Sequence, residues 1–354
     1  MAPPTPASSD RLTGRAGEPV ADRRSPASSG GPGEIRVSAL VDGEMREFAG
    51  DVASARLPEL LAAPDAAVWI DLAGPSSAQM AGIGRALGLH PLIVEDVLEG
   101  NQRAKIETTD GVVHIVLFAL DRTDRIVMNE IDLVLGLGYL LTVHDPGWDP
   151  RASHHLRSGV ASVLADGPDH LLWAIGDDIV DGYFPYADRL GDAIDAVQDA
   201  VIAQASPDAL ERLFALKREL IEVRRAASPT REVFNQLTNR EMTLIDAEEL
   251  VYFRDIYDHV IRLTDELDNY RELASSTLDV YLTKVNNDLS VIMKRLTGVT
   301  FIVAGIGAVA GIFGMSEAAT ALAGTEGSGF WVVTAATAGA AGVGVVVLRR
   351  MGWI

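Results

Sequence analysis

Residues 298–315, GVTFIVAGIGAVAGIFGM, and residues 329–348, GFWVVTAATAGAAGVGVVVL, carry no charge and are the only runs in this 354-residue chain long enough to cross a bilayer. A membrane helix needs about 20 such residues at about 1.5 Å of rise each. Lys294 and Arg295 precede the first run, Arg349 and Arg350 follow the second, and the short connection holds only Glu317 and Glu326 as charges. Basic flanks stay inside, so the two spans form a hairpin over 298–350 in the cell membrane with both termini cytoplasmic. Gly307 and Gly311, and Ala335 and Gly339, stand four apart, a spacing that lets membrane helices approach closely. A tightly packed anchor and a pore both satisfy this pattern.

Upstream, neither proline nor glycine interrupts the chain between Pro229 and Gly298. Phe253, Ile256, Val260, Leu263, Leu267, Tyr270, Ala274, Leu278, Tyr281 and Val285 recur at spacings of three and four, which is helix-packing periodicity. A helix from Asp246 to Phe313 would be roughly 100 Å long at about 1.5 Å per residue. Its soluble part, 246–297, is therefore predicted to be a stalk, and its apolar seam calls for copies of itself alongside.

Residues 34–150 predict an α+β cytoplasmic domain, a mixed sheet with helices. Strand-like runs cover Ile35–Val41, Ala67–Leu72, Val112–Leu120, Val127–Leu135 and Tyr139–Val143, with Gly136-Leu137-Gly138 as a hairpin turn. One helix is expected over Ser76–Leu87 and another after Pro91. Residues 151–245 read as a helical segment, with two long helices from Pro168 to Ala227 broken near Ser206-Pro207. The first carries Asp177, Asp178, Asp181, Asp188, Asp192, Asp195 and Asp199, either a solvated face or a cation-attracting one. Residues 1–33, rich in Pro, Ala, Ser and Gly, read as a disordered cytoplasmic tail.

With 50 acidic against 30 basic side chains the formal charge is −20, which repels nucleic acid and draws cations to the surface. The absence of cysteine removes thiolate metal sites and cysteine nucleophiles, so any metal must be held by oxygen or imidazole. Gly82-Ile83-Gly84 lacks the third glycine of a dinucleotide turn, and the glycines of the spans lack a phosphate-loop lysine, so no nucleotide site and no enzyme are expected. His154 and His155 are adjacent; on a helix or strand they would point apart, as surface residues rather than paired ligands.

His90-Pro91-Leu92-Ile93-Val94-Glu95-Asp96-Val97-Leu98, with Gln102-Arg103-Ala104-Lys105-Ile106-Glu107 after it, resembles the cytoplasmic signature of the CorA divalent-metal transporters. Arg231 to Leu237, Arg254 to His259, Asp279 to Leu282 and Met293 to Thr297 follow in that family's order before the two-span tail. The resemblance implies a homopentamer whose long helices line an axial pore, held shut by cytoplasmic Mg²⁺ bound between neighbouring subunits. Asp96 and Asp255 match that metal site, and both are hard oxygen ligands suited to Mg²⁺. From the residues alone, Asp96 reads as helix-dipole stabilisation and Asp255 as a stalk ion pair with Arg254 or His259.

Pore-facing positions by the same resemblance are Asp279, Asn286, Ser290, Met293, Leu296, Thr300, Ala304 and, at the outer mouth, Gly314-Met315-Ser316. Met293 and Leu296 would form an apolar constriction that gates by dewetting, or else simply pack against the second span. The sequence departs from the family in three places: Ser316 stands for the Asn of Gly-Met-Asn, Ser290 for a second Asn, and Gly305 for a usual proline. A serine hydroxyl can accept a hydrogen bond from hydrated Mg²⁺, but it is shorter than an amide and leaves a wider ring. The expected activity is passive divalent-cation transport, Mg²⁺ first and Co²⁺, Ni²⁺ or Zn²⁺ next; zinc-transporting relatives also depart at the mouth. The rival is a non-conducting membrane metal sensor or scaffold built on the same fold.

Overall fold

A computed structural model describes residues 33–100, 103–122, 126–239, 242–314 and 328–353. The chain divides into two compact units. One ends at Ala187 and includes Ile221–Glu266; the other holds Asp188–Leu220 and the chain from Leu267 onward.

The first unit is built on a seven-stranded mixed sheet. Its strands are β1 (Glu34–Val41), β2 (Glu44–Ala49), β3 (Ala67–Ala73), β4 (Lys105–Thr109), β5 (Val112–Arg122), β6 (Ile126–Gly136) and β7 (Tyr139–His144), in the order β2-β1-β3-β7-β6-β5-β4. Every pairing is antiparallel except β3 with β7, where Val68 sits opposite Tyr139. These two are central and buried almost throughout, hence their nearly unbroken apolar sequences AVWIDLA and YLLTVH. The predicted turn is present: Gly138, at φ +75°, takes the left-handed position in the two-residue link from β6 to β7.

Helices α1 (Gly50–Leu61), α2 (Ser77–Leu87) and α3 (Pro91–Glu99) enclose a core with Val37, Val68, Ile70, Leu72 and Leu141. Ser76 and Gln79 close a capping box at the start of α2, which explains why that helix was legible from its first residue. After a short α4 (Val160–Leu164), α5 (Pro168–Asp181) packs against β3, β5, β6 and β7. Because side chains alternate along a strand, Trp69 and Asp71 face away from Ile70. The Trp69 indole donates to Thr142 Oγ1 (3.1 Å), and Thr142 donates to Asp71 Oδ1 (2.5 Å), which also lies 3.1 Å from His144 Nε2.

Burial lowers the affinity of His144 for its proton, but the hydrogen bond and charge of Asp71, with the Asp145 carbonyl and Asp149, outweigh it and leave the pKa raised above 6.5. A raised histidine contributes stability that is full below its ordinary value and is lost as pH rises through its folded value. The denaturation midpoint is therefore expected to fall between about pH 6 and about pH 8.5, and to fall less in His144→Gln. Equal slopes for the two proteins would remove His144 from the account.

The long helices are α6 (Phe184–Ala203), α7 (Pro207–Asn239), α8 (Leu250–Gly314) and α9 (Ser328–Arg350). Where one helix was predicted from Pro168 to Ser206, the chain breaks at Gly182-Tyr183 into α5 and α6. Where a helix end was expected near Ala227, α7 runs on through Pro229 to Asn239. Pro229 has no N–H to give, and the neighbouring Thr230 hydroxyl bonds the Ala226 carbonyl at 2.9 Å.

Candidate functional site

Helix α8 carries 65 residues without a break. Its first turns bury Phe253, Ile256, Val260 and Leu263. Further along, Leu267, Ala274 and Thr277 are buried, and past Thr277 burial largely ceases. Among the described residues this is the one helix long and apolar enough to cross a membrane by length and composition, and only 6% of its apolar window is buried. That window is therefore not packed as a core within this chain. The second uncharged run lies within α9. Between the two, Phe301, Ile302, Gly305 and Ile306 face Thr337, Ala340, Ala341 and Gly344 across a cavity of about 420 Å³, with Ile302 lying 3.9 Å from the position a Cβ on Gly344 would take.

Asp279, Asn286, Ser290, Met293, Leu296, Thr300 and Ala304 are all exposed on α8. At about 100° per residue they form one stripe down the helix. Met293 and Leu296 are 59% and 58% exposed, too much for packing against α9 to be their role within this chain. Ser290 and Thr300 donate their hydroxyls to the carbonyls of Asn286 (2.9 Å) and Leu296 (2.8 Å), one turn back. Each hydroxyl proton is thereby committed inward and each oxygen keeps lone pairs to accept from water. Gly314 ends α8, whereas Met315 and Ser316 lie outside the described residues.

Asp96 sits in the later turns of α3, not the first, so helix-dipole stabilisation does not account for it. Its Oδ2 accepts from Lys105 Nζ at 2.6 Å, and the same ammonium reaches Glu107 at 3.2 Å. Burial lowers the Lys105 pKa, but the hydrogen bonds and charges of these two carboxylates outweigh it and leave the value raised. Asp96, Glu107 and the buried His114 present ligand atoms within 4.8 Å of one another. His114 also faces Asp132 at 2.9 Å.

Asp255, 68% exposed, lies 3.7 Å from His259, the stalk ion pair foreseen. Asp255 and His259 also offer ligand atoms within 4.8 Å of Asp177 on α5. The described residues do not bring Asp96 and Asp255 into one cluster. Sequence reasoning named His259, one helical turn on, as a partner of Asp255, and missed Asp177, which comes from another helix. The aspartate run divides accordingly: Asp188, Asp192, Asp195 and Asp199 form an exposed face of α6, while Asp177, Asp178 and Asp181 meet histidines.

The two adjacent histidines correct their sequence reading. They open a single 3₁₀ turn, where their rings lie 3.8 Å apart, tilted by 39°. His154 Nδ1 is 3.0 Å from Asp178 and His155 Nε2 is 2.8 Å from Asp177. Negative charge is crowded here. Burial, then the repulsion of Asp177, holds the Asp181 carboxyl above its ordinary 3.8, against the pull of His259 and His154. A raised carboxyl favours folding at acid pH, and that contribution is lost as pH rises through its folded value. A bound cation does for the ionised cluster what the proton does at low pH.

A sequence profile described as CorA-like Mg²⁺ transporter protein matches residues 64–350. The chain is 31% identical over 290 residues to the cobalt/magnesium transport protein CorA of Thermotoga maritima, covering 80% of this chain and 82% of that protein. It is 24% identical to the protein of the same name from Methanocaldococcus jannaschii, over 86% of this chain and 97% of the other. The solved complete structure of the M. jannaschii CorA magnesium transporter shares the fold, with TM-score 0.73 and 22% identity over 90% of this chain and 99% of that one. The full-length CmaX structure does so with TM-score 0.68 and 19% identity, over 92% and 100%. The profile match over residues 64–350, together with 31% identity to the T. maritima protein across 80% of this chain, means that the chain belongs to the CorA family.

Proposed function

We propose that this chain is one subunit of an oligomeric channel, a homopentamer in the cell membrane, that passes divalent cations down their gradient. Mg²⁺ is the first choice of ion, with Co²⁺, Ni²⁺ or Zn²⁺ next, and no reaction is catalysed. The observation that carries this reading is the exposed stripe on α8, where acceptor hydroxyls alternate with large apolar side chains that one subunit leaves uncovered. Five such stripes around an axis give an apolar constriction at Met293 and Leu296, with hydroxyl and amide rings for the shell of a hydrated cation above and below.

Cytoplasmic metal closes the pore through Asp96 of one subunit and Asp255 of the next. Asp255 has Asp177 and His259 beside it in its own subunit, so a cation would find most of a ligand set already assembled. The residues suit a hard divalent ion held partly through water, since Mg²⁺ keeps several of its waters.

The test is uptake into liposomes by purified protein, for Mg²⁺, Co²⁺, Ni²⁺ and Zn²⁺ in turn. Saturable uptake of at least one ion, slowed when Mg²⁺ is raised on the cytoplasmic side, is the expected result. Protein-free rates for all four would leave a sensor or scaffold. In cells, a cysteine at Thr325 should react with an impermeant reagent from outside; reaction only after permeabilisation would reverse the topology.

A further inference from the structure

We propose that His154, His155 and Asp177 form a nitrogen-rich site, within one subunit, for a divalent transition metal of the Zn²⁺, Co²⁺ or Ni²⁺ class. The inference does not depend on the chain conducting ions.

The geometry is that of a site one small movement from closure. The three residues offer ligand atoms within 4.8 Å of one another. Nitrogen and oxygen ligands stand about 2.0–2.2 Å from such an ion, hence about 3–3.5 Å apart around it. His155 Nε2 and Asp177 Oδ2 are 2.8 Å apart, so an ion entering between them needs only a few tenths of an ångström on that edge.

His154 is held from behind. Its Nδ1 (3.0 Å) and its main-chain N–H (3.3 Å) both meet Asp178 Oδ1, which leaves Nε2 as the outward nitrogen. A carboxylate behind an imidazole is how metal-binding histidines are oriented and made more basic. The His155 ring is fixed in turn by Trp173, whose ring centre is 4.5 Å away.

Charge points the same way. Asp177 is 7% exposed, and no lysine or arginine pairs with it or with Asp178 among the described residues. A buried carboxylate needs a cation or strong donors, and among the described residues Asp177 has the His155 imidazole at 2.8 Å, with His154 and His259 close by. Two imidazoles select for the borderline metals, whereas Mg²⁺ prefers oxygen and its own water. Asp177 is also shared with the Asp255–His259 cluster, so a metal at the histidines would change the surroundings of Asp255.

Trp173 supplies the readout. Co²⁺ or Ni²⁺ is titrated into tag-free full-length protein in detergent, with millimolar Mg²⁺ present, while tryptophan fluorescence is followed. Expected is saturable quenching at one ion per subunit, reversed by Zn²⁺ and lost in Trp173→Phe. The midpoint should rise about 10–100-fold in His155→Gln and in His154→Gln. His154 is the safer variant, because its side chain is 46% exposed, and its thermal melt should match the parent. Absence of quenching, quenching reversed by Mg²⁺, or a midpoint unmoved in folded His154→Gln would each overturn the site.

Discussion

Asp255→Ala is expected to weaken the protection that millimolar Mg²⁺ should give α8 against limited proteolysis. The Mg²⁺ midpoint should move up at least about tenfold, equivalent to about 1.4 kcal/mol. Asp255 is 68% exposed and buries nothing, so its loss should leave the fold and the melting temperature of the metal-free protein close to the parent's. What it removes is one hard oxygen from a group that already holds Asp177 and His259. Without the ion, carboxylates brought together repel, and the proposed assembly would loosen; with it they attract a common charge. In liposomes the same variant should keep passing cations when cytoplasmic Mg²⁺ is high, conditions under which the parent is expected to close. An unchanged protection curve would return Asp255 to the role of a stalk ion pair with His259.

Ser316→Ala should lower flux for every ion, by about tenfold or more if a ring of hydroxyls at the mouth accepts hydrogen bonds from coordinated water, since a methyl cannot accept one. Ser316→Asn should raise Mg²⁺ flux relative to Zn²⁺ or Co²⁺, because an amide reaches further and narrows the ring. The double variant Ser290→Asn/Ser316→Asn should gain at least as much, as Ser290 is exposed on α8 and its replacement amide would add a second acceptor ring. Flux is compared at equal protein content in liposomes. Equal transport by the parent and Ser316→Ala would move selection deeper, to Ser290 or Asp279.

The contrast between β7 and β2 shows what was legible. YLLTVH is buried on both faces and could be nothing but a strand, whereas EMREFA is an exposed edge whose pairing with β1, not its own pattern, makes it one. KIETT, the opposite edge, was missed for the same reason. Helix α1 was hidden by Gly50 at its start and Pro58 within it, both poor helix signals that burial of Ala53, Leu57 and Leu60 overrides. The proposed pore-facing positions on α8 came from the family resemblance, because periodicity alone does not separate a pore-facing residue from one that packs. The histidine cluster was not, because period arguments assume a helix or a strand, and a 3₁₀ turn puts neighbouring rings together. Its aspartates come from α5, more than twenty positions away, a proximity no local pattern encodes.

Lys105 gives the proposed closing site a built-in competitor. Its ammonium occupies the space between Asp96 and Glu107, so in low Mg²⁺ the carboxylate is never bare. An incoming ion must displace a cation already held by two carboxylates, and it wins only when abundant. On that proposal the chain itself would keep the affinity weak and set a concentration threshold, so that the gate would answer to bulk Mg²⁺ and ignore traces.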